Sequence, residues 1–198
     1  MATHAEAEHH GPPEAHLSSR VDPRVLGMFL FLASEVMLFG AFFTAYFFVR
    51  VVNGAPWPQP PFHLPVFVAG VNTAILVTSS FTIHWALQSV KRDNRAGLKA
   101  GLFLTLALGS VFLITQAREY SRVGFAPHDG AFGTIFFGLT GLHGAHVFVG
   151  LTILTFATVR AFRGHFSAAH HHGVEIPGIY WHFVDVMWIV VYTTIYIL

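Results

Sequence analysis

Five long apolar stretches, residues 25–49, 66–87, 98–117, 131–159 and 176–198, constrain this chain more than any other feature. A helix rises 1.5 Å per residue, so about 20 apolar residues cross the roughly 30 Å of a bilayer's hydrocarbon. Inside hydrocarbon every backbone N–H and C=O must find its partner within the chain, and a single run does that only as a helix. The predicted fold is therefore all-α, an integral membrane bundle of five transmembrane helices. Glu35 is the only formal charge in the first span, and Asn72 and His84 are the most polar members of the second. Lys99 sits near the start of the third, where its stem can carry the ammonium back to water. The fourth stretch exceeds the requirement, so its helix should tilt or protrude.

The breaks between spans agree. Gly54, Pro56, Pro58, Pro60 and Pro61 form a proline-rich turn after the first span. The run from Lys91 to Arg95 follows the second, residues 118–130 the third, and residues 163–173 the fourth. Trp57, Trp85, Tyr120, Tyr180 and Trp181 fall near span ends, where amphipathic rings are expected to anchor at the interface.

Composition sharpens the exclusions. Charged residues are 11% of the chain, too few to cover the surface of a soluble domain, and 54% of residues are apolar, too many for a disordered one. With 11 basic against 10 acidic side chains, the net charge of +1 offers nothing to nucleic acid. There is no cysteine, which excludes disulfides, iron–sulfur clusters, thiolate zinc, cysteine-bridged copper and C-x-x-C-H haem attachment. Any metal would need ligands from the 14 histidines or from carboxylates.

Residues 1–24 are polar and rich in histidine (His4, His9, His10, His16), with no apolar core of the kind a cleavable secretion signal needs. They read as a solvated N-terminal tail ahead of one membrane domain, residues 25–198. Basic residues orient the bundle. Eight (Arg20, Arg24, Lys91, Arg92, Arg95, Lys99, Arg160 and Arg163) lie on the side of the N-terminus and three (Arg50, Arg118 and Arg122) on the other, which predicts a cytoplasmic N-terminus and an outside C-terminus.

Ionisable residues within membrane spans begin as functional candidates, because an unpaired polar group there is costly. Glu35 lies about 15 Å along the first helix, near mid-bilayer. It is expected to be protonated or hydrogen-bonded to a histidine, and it serves either a proton or lipid cavity or a neutral bridge between helices. Gly27, Ser34 and Ala41, seven apart, form a small face suited to close helix contact. His143 and His146 share a face of the fourth span among Gly138, Gly141, Gly144 and Ala145, where another backbone is expected to approach. One helix supplies only two ligands, so these histidines read as hydrogen-bonding core residues ahead of metal ligands. His182 and Asp185, also three apart, are expected to pair directly, as structure or as a contact to a neighbouring subunit. The loop from His170 to Glu175, with Arg160 and Arg163, makes a basic cluster suited to a lipid phosphate ahead of a metal.

Tyr180-Trp-His-Phe-Val-Asp-Val-Met-Trp188, followed by Tyr192-Thr-Thr-Ile-Tyr196, closely resembles the ending of subunit III of haem-copper oxidases such as cytochrome c oxidase. Leu32-Ala-Ser-Glu35-Val-Met-Leu-Phe resembles the first helix shared across that family. Thr140-Gly-Leu-His143-Gly-Ala-His146-Val-Phe-Val-Gly150 matches its G-x-H-G-x-H-V segment, and Gln116-Ala-Arg-Glu119-Tyr120 also fits. The matches run in order through residues 25–198. They point to the shorter, five-helix bacterial form, without the first two of the seven helices that longer members have and that form part of their lipid cleft.

The resemblance implies a proton-translocating oxidoreductase complex of a bacterial inner membrane, reducing oxygen in aerobic respiration. Haems and coppers belong to subunits I and II. This chain carries no catalytic centre and no metal; it packs on subunit I, binds phospholipid and supports proton uptake. Cytochrome c or quinol would act on the complex, not on this chain. Glu35 matches the family's buried glutamate, Arg160 aligns with a basic residue that contacts lipid phosphate, and His171 falls in a nearby histidine-rich segment. His182, Asp185 and Trp181 carry over as structural or subunit-interface residues. A quinol oxidase subunit and the related nitric oxide reductase subunit are variants of the same reading. A free-standing proton channel or transporter built on Glu35 and Asp185 meets the absence of repeated halves. A haem enzyme using His143 or His146 would announce itself by a Soret band.

Overall fold

The computed structural model describes residues 22–54, 57–58, 64–168 and 170–198; the tail read from the sequence, apart from its last three residues, lies outside them. Five helices follow in order: α1 (Pro23–Asn53), α2 (Val66–Lys91), α3 (Arg95–Tyr120), α4 (Gly130–Phe162) and α5 (His172–Tyr192). A π-helical turn, Thr193–Ile197, continues α5. All five segments are long and apolar enough to cross a membrane.

Each helix outruns its apolar stretch, because the backbone stays helical past the hydrocarbon until a cap or breaker stops it. Asp22 caps α1, its Oδ1 accepting the Arg24 N–H at 2.8 Å, with Pro23 in the first turn where its missing N–H costs nothing. Asn94 does the same for α3, accepting from Gly97 N–H at 3.0 Å. Gly54 and Gly164 adopt positive φ where the chain leaves α1 and α4. The expected loop at residues 118–130 loses its first three residues to α3, and the His170–Glu175 loop gives residues 172–175 to the first turn of α5.

α5 is the hub. Across an 18-residue apolar window 56% of its residues are buried, against 11% in the corresponding window of α1, and it packs on α1, α2 and α4. α2 and α3 form the tightest pair. A Cβ on Gly101 would lie 2.8 Å from Ala86 Cβ and 2.9 Å from Thr82 O, so only glycine allows this approach. α1 lies against α4 and α5 through Leu32, Phe39 and Tyr46, which repeat every seven residues. The expected small face is elsewhere: Gly27, Ser34 and Ala41 are exposed, and a Cβ on Gly27 would meet nothing within 4 Å. Large side chains fill the buried side because α1 has one wide groove to occupy and no partner backbone to meet.

Candidate functional site

Glu35 and His146 join α1 to α4. Glu35 Oε2 and His146 Nε2 are 2.8 Å apart, with both side chains largely shielded. The other ring nitrogen fixes the proton inventory. His146 Nδ1 is 2.8 Å from the Leu142 carbonyl, which only accepts, so Nδ1 carries a hydrogen. Nε2 then either accepts from a protonated Glu35 or donates, as imidazolium, to a carboxylate. One proton sits between the two groups in both forms, and the pair is neutral overall. Tyr180 donates to the His146 carbonyl at 3.2 Å, and the Phe39 ring lies 5.0 Å from the imidazole. A polar pair thus closes on itself inside an apolar wall.

His143 does something different. It is fully buried, turned between α3 and α5, with its ring 4.7 Å from Trp188 and 5.8 Å from Phe112. Among the described residues neither ring nitrogen has a hydrogen-bond partner, so the expected hydrogen-bonding core histidine is a packing residue instead. The aromatic neighbours leave no donor or acceptor within reach, at an expected cost of about 1–3 kcal/mol. The glycines around the pair admit no backbone either: an added Cβ on Gly144 meets nothing within 4 Å, and one on Gly138 meets the Phe42 ring.

His182 and Asp185 do not pair directly. Ser80 of α2 stands between them, its Oγ 3.0 Å from His182 Nδ1 and donating to Asp185 Oδ2. Residues three apart lean to the same side of α5, yet the hydroxyl from the facing helix takes both. Asp185 is buried within the chain. Trp181, expected at the interface with Tyr180, is fully buried nine residues into α5. Its ring lies against Gly109 of α3 and Gly150 of α4, and its Nε1 donates to Ser79 Oγ at 2.9 Å.

At the end of the bundle holding the start of α1 and α5 and the end of α4, a cavity of about 410 Å³ is lined by Arg24, Arg160, His165, Phe166, His170 and His172. Arg160 lies over the Phe166 ring at 5.4 Å. His171 is outside this cavity, with Nδ1 2.6 Å from the Ala168 carbonyl and Nε2 4.0 Å from Glu175. Its neighbours, not His171, face Arg160. Asp22 is 3.5 Å and Glu175 3.3 Å from His172, so the basic cluster has acidic partners, of which Asp22 was not placed there by the sequence.

A further buried group escaped the sequence reading except as part of a motif. Glu119, at the end of α3, accepts from Tyr196 Oη at 3.1 Å, while Tyr120 donates to Thr140 Oγ1 at 2.9 Å. The usable signal was an acidic residue two positions past the apolar run that ends at residue 117, in a helix that continues to Tyr120. Among the described residues there is no group of three or more His, Asp or Glu placed to hold a metal ion.

The description "Cytochrome c oxidase subunit III" belongs to the family model that matches residues 5–198. Cytochrome c oxidase subunit 3 of Thermostichus vulcanus is 40% identical over 184 residues, covering 92% of this chain and 91% of that protein. The proteins of the same description from Equus caballus (40% over 176 residues) and Drosophila melanogaster (42% over 180 residues) are each matched over 86% of this chain and 67% of their own length. Five membrane-length helices, inward-facing polar pairs and a match along nearly the whole sequence lead to one assignment: the chain belongs to the cytochrome c oxidase subunit III family.

Proposed function

We propose that this chain acts in a haem-copper oxidase as a non-catalytic scaffold, packed on subunit I in a complex that also contains subunit II. The supporting observation is how its polar groups are used. Glu35 pairs with His146, and one carboxyl oxygen each of Asp185 and Glu119 with Ser80 and Tyr196, each pair tying two segments of the bundle together. A side chain whose hydrogen-bonding capacity holds the fold is a poor candidate for handling substrate. The outward faces are apolar, with Met37, Phe48, Phe67 and Phe81 all exposed, as a surface that meets lipid or another subunit requires.

In this reading the cavity at Arg160 takes a phospholipid phosphate, with Phe166 beside the guanidinium and histidines around it. Shielding by protein and lipid slows damage to the neighbour and supports its proton uptake. The same reading puts the N-terminus on the cytoplasmic side of a bacterial inner membrane, following the eight-to-three excess of basic residues. Purification of the tagged chain from its own membranes tests the proposal. Haem- and copper-bearing polypeptides should co-purify in fixed ratio, and recovery of the chain without them under mild detergent would count against it.

A further inference from the structure

The opposite end of the bundle, where α2 begins and α3 ends, holds a second cavity of about 410 Å³. Leu64, Pro65, Val68 and Val123 give it an apolar wall, and Thr115, Arg118, Glu119 and Arg122 line the α3 side. Arg118, in the last turn of α3, and Arg122, two residues past its end, are exposed, and among the described residues neither makes an ion pair. Glu119 lines the same cavity, but its carboxyl is buried and accepts from Tyr196, and among the described residues it forms no ion pair with either arginine.

The order of these residues along the helices matters. Passing from Arg122, two residues beyond α3, to Arg118 and Thr115 within it, and from Leu64, just ahead of α2, to Val68 within it, the lining changes from cationic at the helix end to largely apolar further in. The two exposed guanidiniums offer forked donors to a phosphate's oxygens. An apolar channel directly below them accepts a hydrocarbon tail. A soluble anion would use the first feature and waste the second. We infer that this cavity binds one phospholipid, its phosphate between Arg118 and Arg122 and an acyl chain along Val68 and Thr115. It is distinct from the Arg160 cavity and serves the other leaflet. The inference needs only the membrane-spanning bundle, so it stands or falls apart from the scaffold proposal.

Native mass spectrometry of the full chain, purified in mild detergent with added phosphatidylglycerol, tests it. The wild-type chain should retain one more phospholipid through delipidation than the variant carrying both Arg118→Gln and Arg122→Gln. Loss of two charge-assisted contacts should weaken retention by about tenfold or more. Val68→Trp, which fills the channel and leaves both arginines, should lose the same lipid. A control with Lys91→Gln and Arg92→Gln, exposed cations at the other end of α2, should keep it. Diacylglycerol, which lacks the phosphate, should not be retained. Equal retention by wild type and the double Gln variant, or loss from the control, would overturn the inference. So would displacement of the lipid by millimolar inorganic phosphate, which would make this a free-anion pocket.

Discussion

Gly150→Ala probes the centre of the bundle with one methyl group. A Cβ at position 150 would lie 2.8 Å from Trp181 Cε3, 2.9 Å from Cζ3 and 3.3 Å from Tyr180 Cε1. The indole cannot swing away. On its far side a Cβ at Gly109 would be only 2.7 Å from Cη2, and Nε1 is held by Ser79. Alanine gains about 1 kcal/mol over glycine in helix propensity. Overpacking a fixed core costs about 1–3 kcal/mol, and contacts this short belong at the upper end. The expected net loss is about 1–2 kcal/mol. Gly144→Ala provides the contrast, since its Cβ meets nothing within 4 Å and only the propensity gain remains. Unfolding in mixed micelles, followed by far-ultraviolet circular dichroism, should separate the two variants in opposite directions. In a Trp181→Phe background the Gly150→Ala loss should shrink, as residues in contact are not additive. Equal behaviour of Gly144→Ala and Gly150→Ala, or an unchanged loss without the indole, would refute the packing argument.

Other outcomes follow from the buried pairs and the Arg160 cavity. Glu35→Gln should cost less than about 1 kcal/mol, because its amide can still donate to His146 Nε2, whereas His146→Leu strands the carboxyl and should cost about 1–3 kcal/mol in the same micelle assay. Ser80→Ala removes the hydroxyl that stands between His182 and Asp185 and should cost about 1–3 kcal/mol, again read as an unfolding midpoint. Arg160→Gln should reduce phospholipid retained at the end of the bundle holding α1's start, measured by mass spectrometry against wild type. His171→Ala should not, since His171 points away from that cavity.

The five helices were legible because hydrocarbon leaves a long apolar run one option, and Glu35 and His146 stood out because charge in that setting demands a partner. Helix ends were misplaced because caps such as Asp22 and Asn94 act beyond the apolar stretch. Which side of a helix meets which neighbour was not legible. Periodicity made Gly27, Ser34 and Ala41 a plausible contact face, but the groove that α1 fills accepts Leu32, Phe39 and Tyr46. Likewise a spacing of three brought His182 and Asp185 together, while the serine between them came from a helix about 100 residues earlier in the chain. Trp181 looked like an interfacial anchor because residues 170–175 read as loop; once α5 starts at His172 the same ring falls in the middle of the core.

The central claim is that this chain steadies an oxygen-reducing partner and performs no chemistry of its own. Turnover of the purified oxidase with and without this chain tests it, by recording both the initial rate of oxygen consumption and the number of turnovers before activity decays. The account predicts a largely preserved initial rate and a much shorter working life once the chain is removed. An initial rate that vanishes with the chain, or a working life that is unchanged, would contradict it.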